Sequence, residues 1–143
     1  MKKFLLVMAC GISLFANDII IKESHYSVSK TIENIKNIVT KKGLSVFTVV
    51  NHQANAKGVG MRMRESELII FGNPKIGTKL MQENILVGLD LPMKILVYRD
   101  GDKKVKLAYR NGTWLKNKHA LKNNKLTSKV DNALNNITDK ARK

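Results

Sequence analysis

Cysteine occurs once in the 143 residues, at Cys10. That excludes a disulfide scaffold, a zinc site built from cysteines and covalently attached c-type haem, all of which need paired cysteines. No apolar run reaches the roughly 18–20 residues of a transmembrane helix. Aromatic residues make up only 6% of the chain, which leaves few stacking platforms of the kind that single-stranded nucleic acid uses. Carboxylates are scarce as well: 11 Asp and Glu stand against 26 Lys and Arg, for a net charge of +15. The hydrophobic content, 43%, is too high for a disordered chain. The length suits one domain of about 100–200 residues.

The first 16 residues read as an export signal. Lys2 and Lys3 form a positive start, Phe4 to Phe15 is almost wholly apolar, and Ala16 is the small residue before polar Asn17 and Asp18. Val7-Met8-Ala9-Cys10 loosely resembles a lipobox, which would anchor a lipoprotein through Cys10, but the apolar run continues past the cysteine. The expectation is cleavage after residue 16 and a periplasmic or secreted domain over 17–143. Two of the positive charges leave with the signal, so the mature chain carries +13 and no cysteine.

Ile19-Ile20-Ile21, followed by alternation to Tyr26, predicts a strand. Ser27 is a candidate N-cap for a helix whose Val28, Ile32, Ile35 and Val39 recur at helical spacing, closed by Gly43. Leu44 to Val50 predicts a strand, and Met61 with Met63 and then Leu68 to Phe71 predict two more. Asn73 and Pro74 open a helix through Ile76, Leu80, Met81 and Ile85 to about Gly88. Strands through Tyr98 and from Val105 to Tyr109 flank a hairpin turn at Asp100-Gly101, where positive φ is favoured. A short helical piece follows Trp114, and a last helix runs from about Thr127. The order β-α-β-β-β-α-β-β-α predicts a single α+β domain, an antiparallel sheet with helices on one face.

Several stretches carry a likeness. They are Ser27-Val28, Lys42 to Phe47, Asn51-His52 with Ala54 and Ala56, Leu68-Ile69-Ile70-Phe71-Gly72-Asn73-Pro74-Lys75, Gly77 to Met81, Leu89-Asp90-Leu91-Pro92, Tyr109, and Leu115 to His119. With these the chain resembles the family called domain of unknown function 302. The resemblance implies a compact α+β fold of the TATA-binding-protein-like kind, without implying nucleic-acid binding, because fold and function separate. Asn51 stands where the family often has an acidic residue before the histidine.

His52 follows a strand among small and polar residues, where a neutral imidazole could ligate a metal or haem iron; the competing reading is a loop-fixing hydrogen bond. His119 is a second candidate ligand, useful in a shared site only if the fold brings it to His52. His25 lies outside the likeness. Met61, Met63, Met81 and Met93 offer thioethers to soft metals or haem, against the plainer reading of adaptable core filling. Asn73, Lys75 and Lys79 at a helix start could hold an anion, but the sequence is no P-loop. No nucleophile–base motif, His-Glu-x-x-His or calcium loop occurs.

The expected function is therefore an exported domain that binds a small ligand, a metal ion or non-covalent haem without evident catalysis. Its ligand-binding residues would be His52, Asn73, Lys75, Met81 and His119, with His52 and His119 as metal ligands. The alternative is an accessory interaction module, possibly homodimeric in the sense that a second copy is one partner, touching acidic proteins or anionic lipid through its basic C-terminal surface. Residues 111–143 hold eight basic and two acidic groups, so much of the charge excess lies there. Nucleic acid would use the same charge, but export and the few aromatics argue against it.

Overall fold

The computed structural model describes residues 18–143; the expected signal over 1–16, Cys10 included, lies outside the described residues. Five strands, β1 (Ile20–Ser24), β2 (Ser45–Asn51), β3 (Ser66–Gly72), β4 (Met93–Arg99) and β5 (Val105–Tyr109), form one antiparallel sheet in the order β1-β5-β4-β3-β2. The helices are α1 (Val28–Lys41), α2 (His52–Gly58), α3 (Pro74–Glu83), α4 (Gly112–His119) and α5 (Asn124–Ala141), with a 3₁₀ turn at Ile85–Leu89. This is the α+β antiparallel architecture that the sequence predicts.

The core follows from two periodicities. Ile69, Phe71, Ile95, Val97, Val105, Leu107 and Tyr109 alternate onto one sheet face, where Val28, Ile32, Ile35 and Val39 of α1 and Val130, Leu134 and Ile137 of α5 cover them. A second cluster gathers Leu80, Val87, Leu115 and Leu121, and joins the first through Ile76 and Met93. On the other sheet face, the register lines Val50, Leu68, Leu96, Ala108 and Ile21 into one apolar row across all five strands. That row is half-buried at its centre and exposed at Ile21.

The caps explain most of the boundaries. Ser27 accepts from the Lys30 amide at the start of α1, and Gly43 takes positive φ just beyond its end. Asn73 accepts from Lys75 with Pro74 in the first helical turn, as expected.

The local differences are equally instructive. Met61 and Met63 lie in a segment outside the sheet and are exposed, neither strand nor core. The residues before them instead form α2, because Asn51 accepts a hydrogen bond from the Ala54 amide at 2.8 Å. The helix expected to reach Gly88 stops at Glu83. Asn84 takes an extended conformation there and caps the 3₁₀ turn through the Leu86 amide. At the β4–β5 hairpin the positive φ falls on Lys103 rather than on Asp100-Gly101. Helices α4 and α5 each begin a few residues earlier than the periodicity predicts, set by the caps Asn111 and Asn123.

Candidate apolar cleft

Strand β2 breaks register between Val46 and Thr48, so Val46 and Val49 both reach the core while Phe47 is the extra residue. A bulge re-aims a side chain in this way, and here it sends Phe47 to the end of the sheet, against Gly72. A Cβ on Gly72 would stand 3.8 Å from the Phe47 ring and 3.6 Å from Pro92. Pro74 starts α3 at the same place, and its first two turns present Ile76, Gly77, Leu80 and Met81. Gly77 lies beside Leu91, which a Cβ there would meet at 3.7 Å. From the other side α5 contributes Val130, Ala133 and Leu134.

Together these residues enclose a cleft of about 620 Å³, completed by Leu44, Phe71, Pro92 and Met93. The size falls in the about 300–1,000 Å³ range of small-molecule sites. Its floor is apolar and fully buried at Leu80 and Leu134. The polar lining is confined to Asn73, Thr78, Lys42 and Lys129, and the Asn73 side-chain oxygen is engaged in capping α3. Among the described residues the formal charges on the wall are thus two exposed ammonium groups. Among the described residues the lining holds no carboxylate, imidazole or thiol, so its chemistry is apolar contact with two ammonium groups at hand.

Of the predicted ligand-binding residues, Asn73 and Met81 line this cleft, and Met93 joins them. Lys75 is exposed on α3 outside it. His52 is half-buried as the first residue of α2, after the end of β2 that pairs with Glu67.

His119 lies elsewhere. Its Nε2 is 2.7 Å from Asp90 Oδ2, its side chain is only 8% exposed, and Trp114 meets it edge-on at 6.5 Å. Asp90 precedes β4, whereas Glu67 pairs with Val97 near the far end of that strand. A seven-residue strand spans about 20 Å, so the two histidines occupy opposite ends of the sheet and do not share a site. Among the described residues no three His, Cys, Asp or Glu side chains cluster as metal ligands. His25 is exposed.

The Asp90–His119 pair sits beside a smaller pocket of about 220 Å³ that includes Lys94, Arg110 and Trp114. Lys94 Nζ donates to the Asp90 and Pro92 carbonyls at 3.0 and 2.9 Å. Burial lowers its pKa, against the pull of the Asp90 carboxylate. These bonds tie the turn before β4 to its own strand, and His119 ties that turn to α4. In the sequence Phe47, Leu91, Pro92, Lys42, Lys129 and the α5 residues of the cleft carry no ligand-binding signal of their own. The available signal was that the Phe71–Lys75, Gly77–Met81 and Leu89–Pro92 blocks carry the family likeness together, and all three converge here.

An α+β domain with a five-stranded antiparallel sheet and an apolar cleft at the sheet's end is the class that fold and site define. The family model for Domain of unknown function DUF302 matches residues 20–140, and the chain belongs to that family. The crystal structure of an uncharacterized conserved DUF302 protein from Bacillus stearothermophilus superposes with a TM-score of 0.79. It covers 89% of this chain and 100% of that one at 19% identity, a likeness of fold.

The chain is also 42% identical over 109 residues to fluoride-specific ion channel FluC 1 of Brucella suis biovar 1. FluC 2 of Brucella melitensis biotype 1 shows the same identity. These matches cover 76% of this chain but only 43% and 40% of the relatives, so the chain spans less than half the length of the curated proteins it matches. Among the described residues no helix is long and apolar enough to cross a membrane.

Proposed function

We propose that the domain is exported and binds a small, largely apolar molecule in the cleft between α3, α5 and the end of the sheet. The observation that carries this reading is the cleft itself: about 620 Å³ of mainly apolar wall in a 143-residue chain. An uncovered apolar wall of this kind gains free energy when a ligand removes it from water. Lys42 and Lys129 at the wall favour a ligand with an acidic end, while Met81 and Met93 provide thioether contacts that would also suit a haem edge.

The test is native purification followed by mass spectrometry and absorbance, paired with displacement of the fluorescent probe 8-anilinonaphthalene-1-sulfonate. Ala133→Trp, which fills the cleft from α5, should abolish probe binding while leaving the fold intact. Equal probe binding by wild type and Ala133→Trp refutes the reading. A Soret band in the native protein selects haem among the ligands.

A second reading, an accessory module at a membrane, is favoured by a different observation. The relatives named as fluoride-specific ion channels carry a like segment within much longer chains. On this reading the ion-channel activity belongs to the rest of those proteins. The segment shared with this chain supplies a soluble contact to lipid or to an acidic partner, through the basic residues of 111–143.

A further inference from the structure

We propose that the 3₁₀ turn Ile85–Leu89 is an apolar prong that seats the domain on an anionic lipid bilayer; this rests on the second reading and identifies the surface it requires. Ile85, Leu86 and Leu89 are 74%, 58% and 81% exposed. Single exposed apolar residues are ordinary, but three large aliphatic side chains exposed within five consecutive residues concentrate apolar surface in one turn, and a monomer's largest apolar patch is often functional.

The prong is held in shape without a partner. Val87, between the exposed residues, is fully buried in the Leu80–Leu115–Leu121 cluster. Asn84 accepts from the Leu86 amide at 3.0 Å and donates to the His119 carbonyl at 3.1 Å. Glu83 accepts from the Lys122 and Asn123 amides at 2.9 and 3.3 Å. These bonds fix the turn on its N-terminal side, and the Asp90 and Leu91 amides donating to the Val87 carbonyl at 2.9 and 3.0 Å close the other, so insertion carries little ordering cost.

Charge selects the occupant. Lys79 lies on α3, Lys116 and Lys118 on α4 and Lys122 just beyond it, all on the elements that pack around the turn. Glu83 and Asp90 flank the turn, bonded to the Lys122 and Asn123 amides and to His119, so the four lysines stand against two carboxylates and the balance stays cationic. An apolar tip with this cationic excess on the surrounding elements matches the acyl boundary and the anionic headgroups of a bilayer. A second copy fits less well. The three side chains offer roughly 350–400 Å² together, under half of the about 800 Å² per partner in a standard interface. A two-fold contact would also face lysines with lysines.

The test uses Leu89→Trp in the full chain, whose only native tryptophan is Trp114, with wild type as the background. On phosphatidylglycerol vesicles the new emission should shift to the blue and be quenched by brominated acyl chains, whereas phosphatidylcholine vesicles leave it unchanged. Adding Lys118→Glu and Lys122→Glu to Leu89→Trp should weaken vesicle binding about tenfold, and salt should weaken the parent in the same way.

Unchanged Leu89→Trp emission while the protein still sediments with anionic vesicles overturns the prong and leaves the accessory reading to another surface. No sedimentation at all overturns the prong and removes lipid from the second reading. A concentration-dependent shift without lipid assigns the patch to a second copy and overturns the proposal. The cleft reading stands or falls separately, on Ala133→Trp.

Discussion

The contact between α4 and α5 depends on the absence of one side chain. Gly112 is buried at the start of α4, and a Cβ built on it would stand 2.1 Å from the Thr127 carbonyl oxygen, 2.9 Å from its carbon and 3.0 Å from the Val130 Cβ. Two of these neighbours are backbone atoms of α5, so no rotamer change relieves the clash and the helices must separate. Over-packed cores lose about 1–3 kcal/mol; with backbone as the obstacle, Gly112→Ala should cost about 3 kcal/mol. At roughly 4 °C per kcal/mol for a domain of this size, the melting temperature should fall by about 12 °C.

The same substitution at Gly58, the last residue of α2, meets nothing within 4 Å. There alanine lowers only the freedom of the unfolded chain and should stabilise by about 0.5 kcal/mol. Urea unfolding of both variants by circular dichroism makes the comparison. Helix propensity alone favours alanine at either site, so a neutral or stabilising Gly112→Ala would refute the close approach.

The two histidines should behave oppositely: His119→Ala strips Asp90 of its partner and Trp114 of its edge contact, costing about 1–3 kcal/mol, while His52→Ala should stay within about 0.5 kcal/mol, both read by urea midpoints. Asp139 is hydrogen-bonded by Lys22 first and Arg142 second, which lowers its pKa. Its contribution is therefore complete above the ordinary carboxylate value near 4 and is lost as pH falls through the lower folded value. With the Asp139 side chain 45% exposed, Asp139→Asn should cost at most about 0.5 kcal/mol at pH 7 and should flatten the acid limb of the stability curve; a limb as steep as wild type would remove Asp139 from it. Asn84→Ala, losing both bonds that shape the 3₁₀ turn, should cost about 1–2 kcal/mol and raise amide exchange at Leu86 specifically.

The strands and principal helices were legible because their signals are local. Alternation from Leu68 to Phe71, helical spacing from Val28 to Val39, and the pairs Ser27–Lys30 and Asn73–Pro74 each act within one or two turns of chain. The misplaced pieces share a different cause. Asn51 reads as the tail of a strand until its side chain is seen to cap α2. Ile85 extends the apolar face of α3 in sequence, but the extended backbone of Asn84 takes it out of the helix and leaves it 74% exposed. A hydrophobic residue at the right spacing predicts burial only while the helix that sets the spacing persists.

The cleft was half legible for a related reason. Asn73 and Met81 belong to one element and one motif, and inspection of that motif singles them out. Phe47 enters only because a bulge in β2 turns it, and Ala133 and Val130 enter only because α5 places them across the cleft from α3. Histidine and methionine are candidate ligands by chemistry alone, and of them the fold gathers only Met81 and Met93 at the cleft. His119 proves to be spent on Asp90, and Met61 and Met63 stand in solvent. What the fold assembles is a mainly apolar wall with two lysines on it, most of its residues inconspicuous in sequence. On the proposed reading, binding by shape and desolvation asks only for such a wall, and the cleft between α3, α5 and the end of the sheet supplies it.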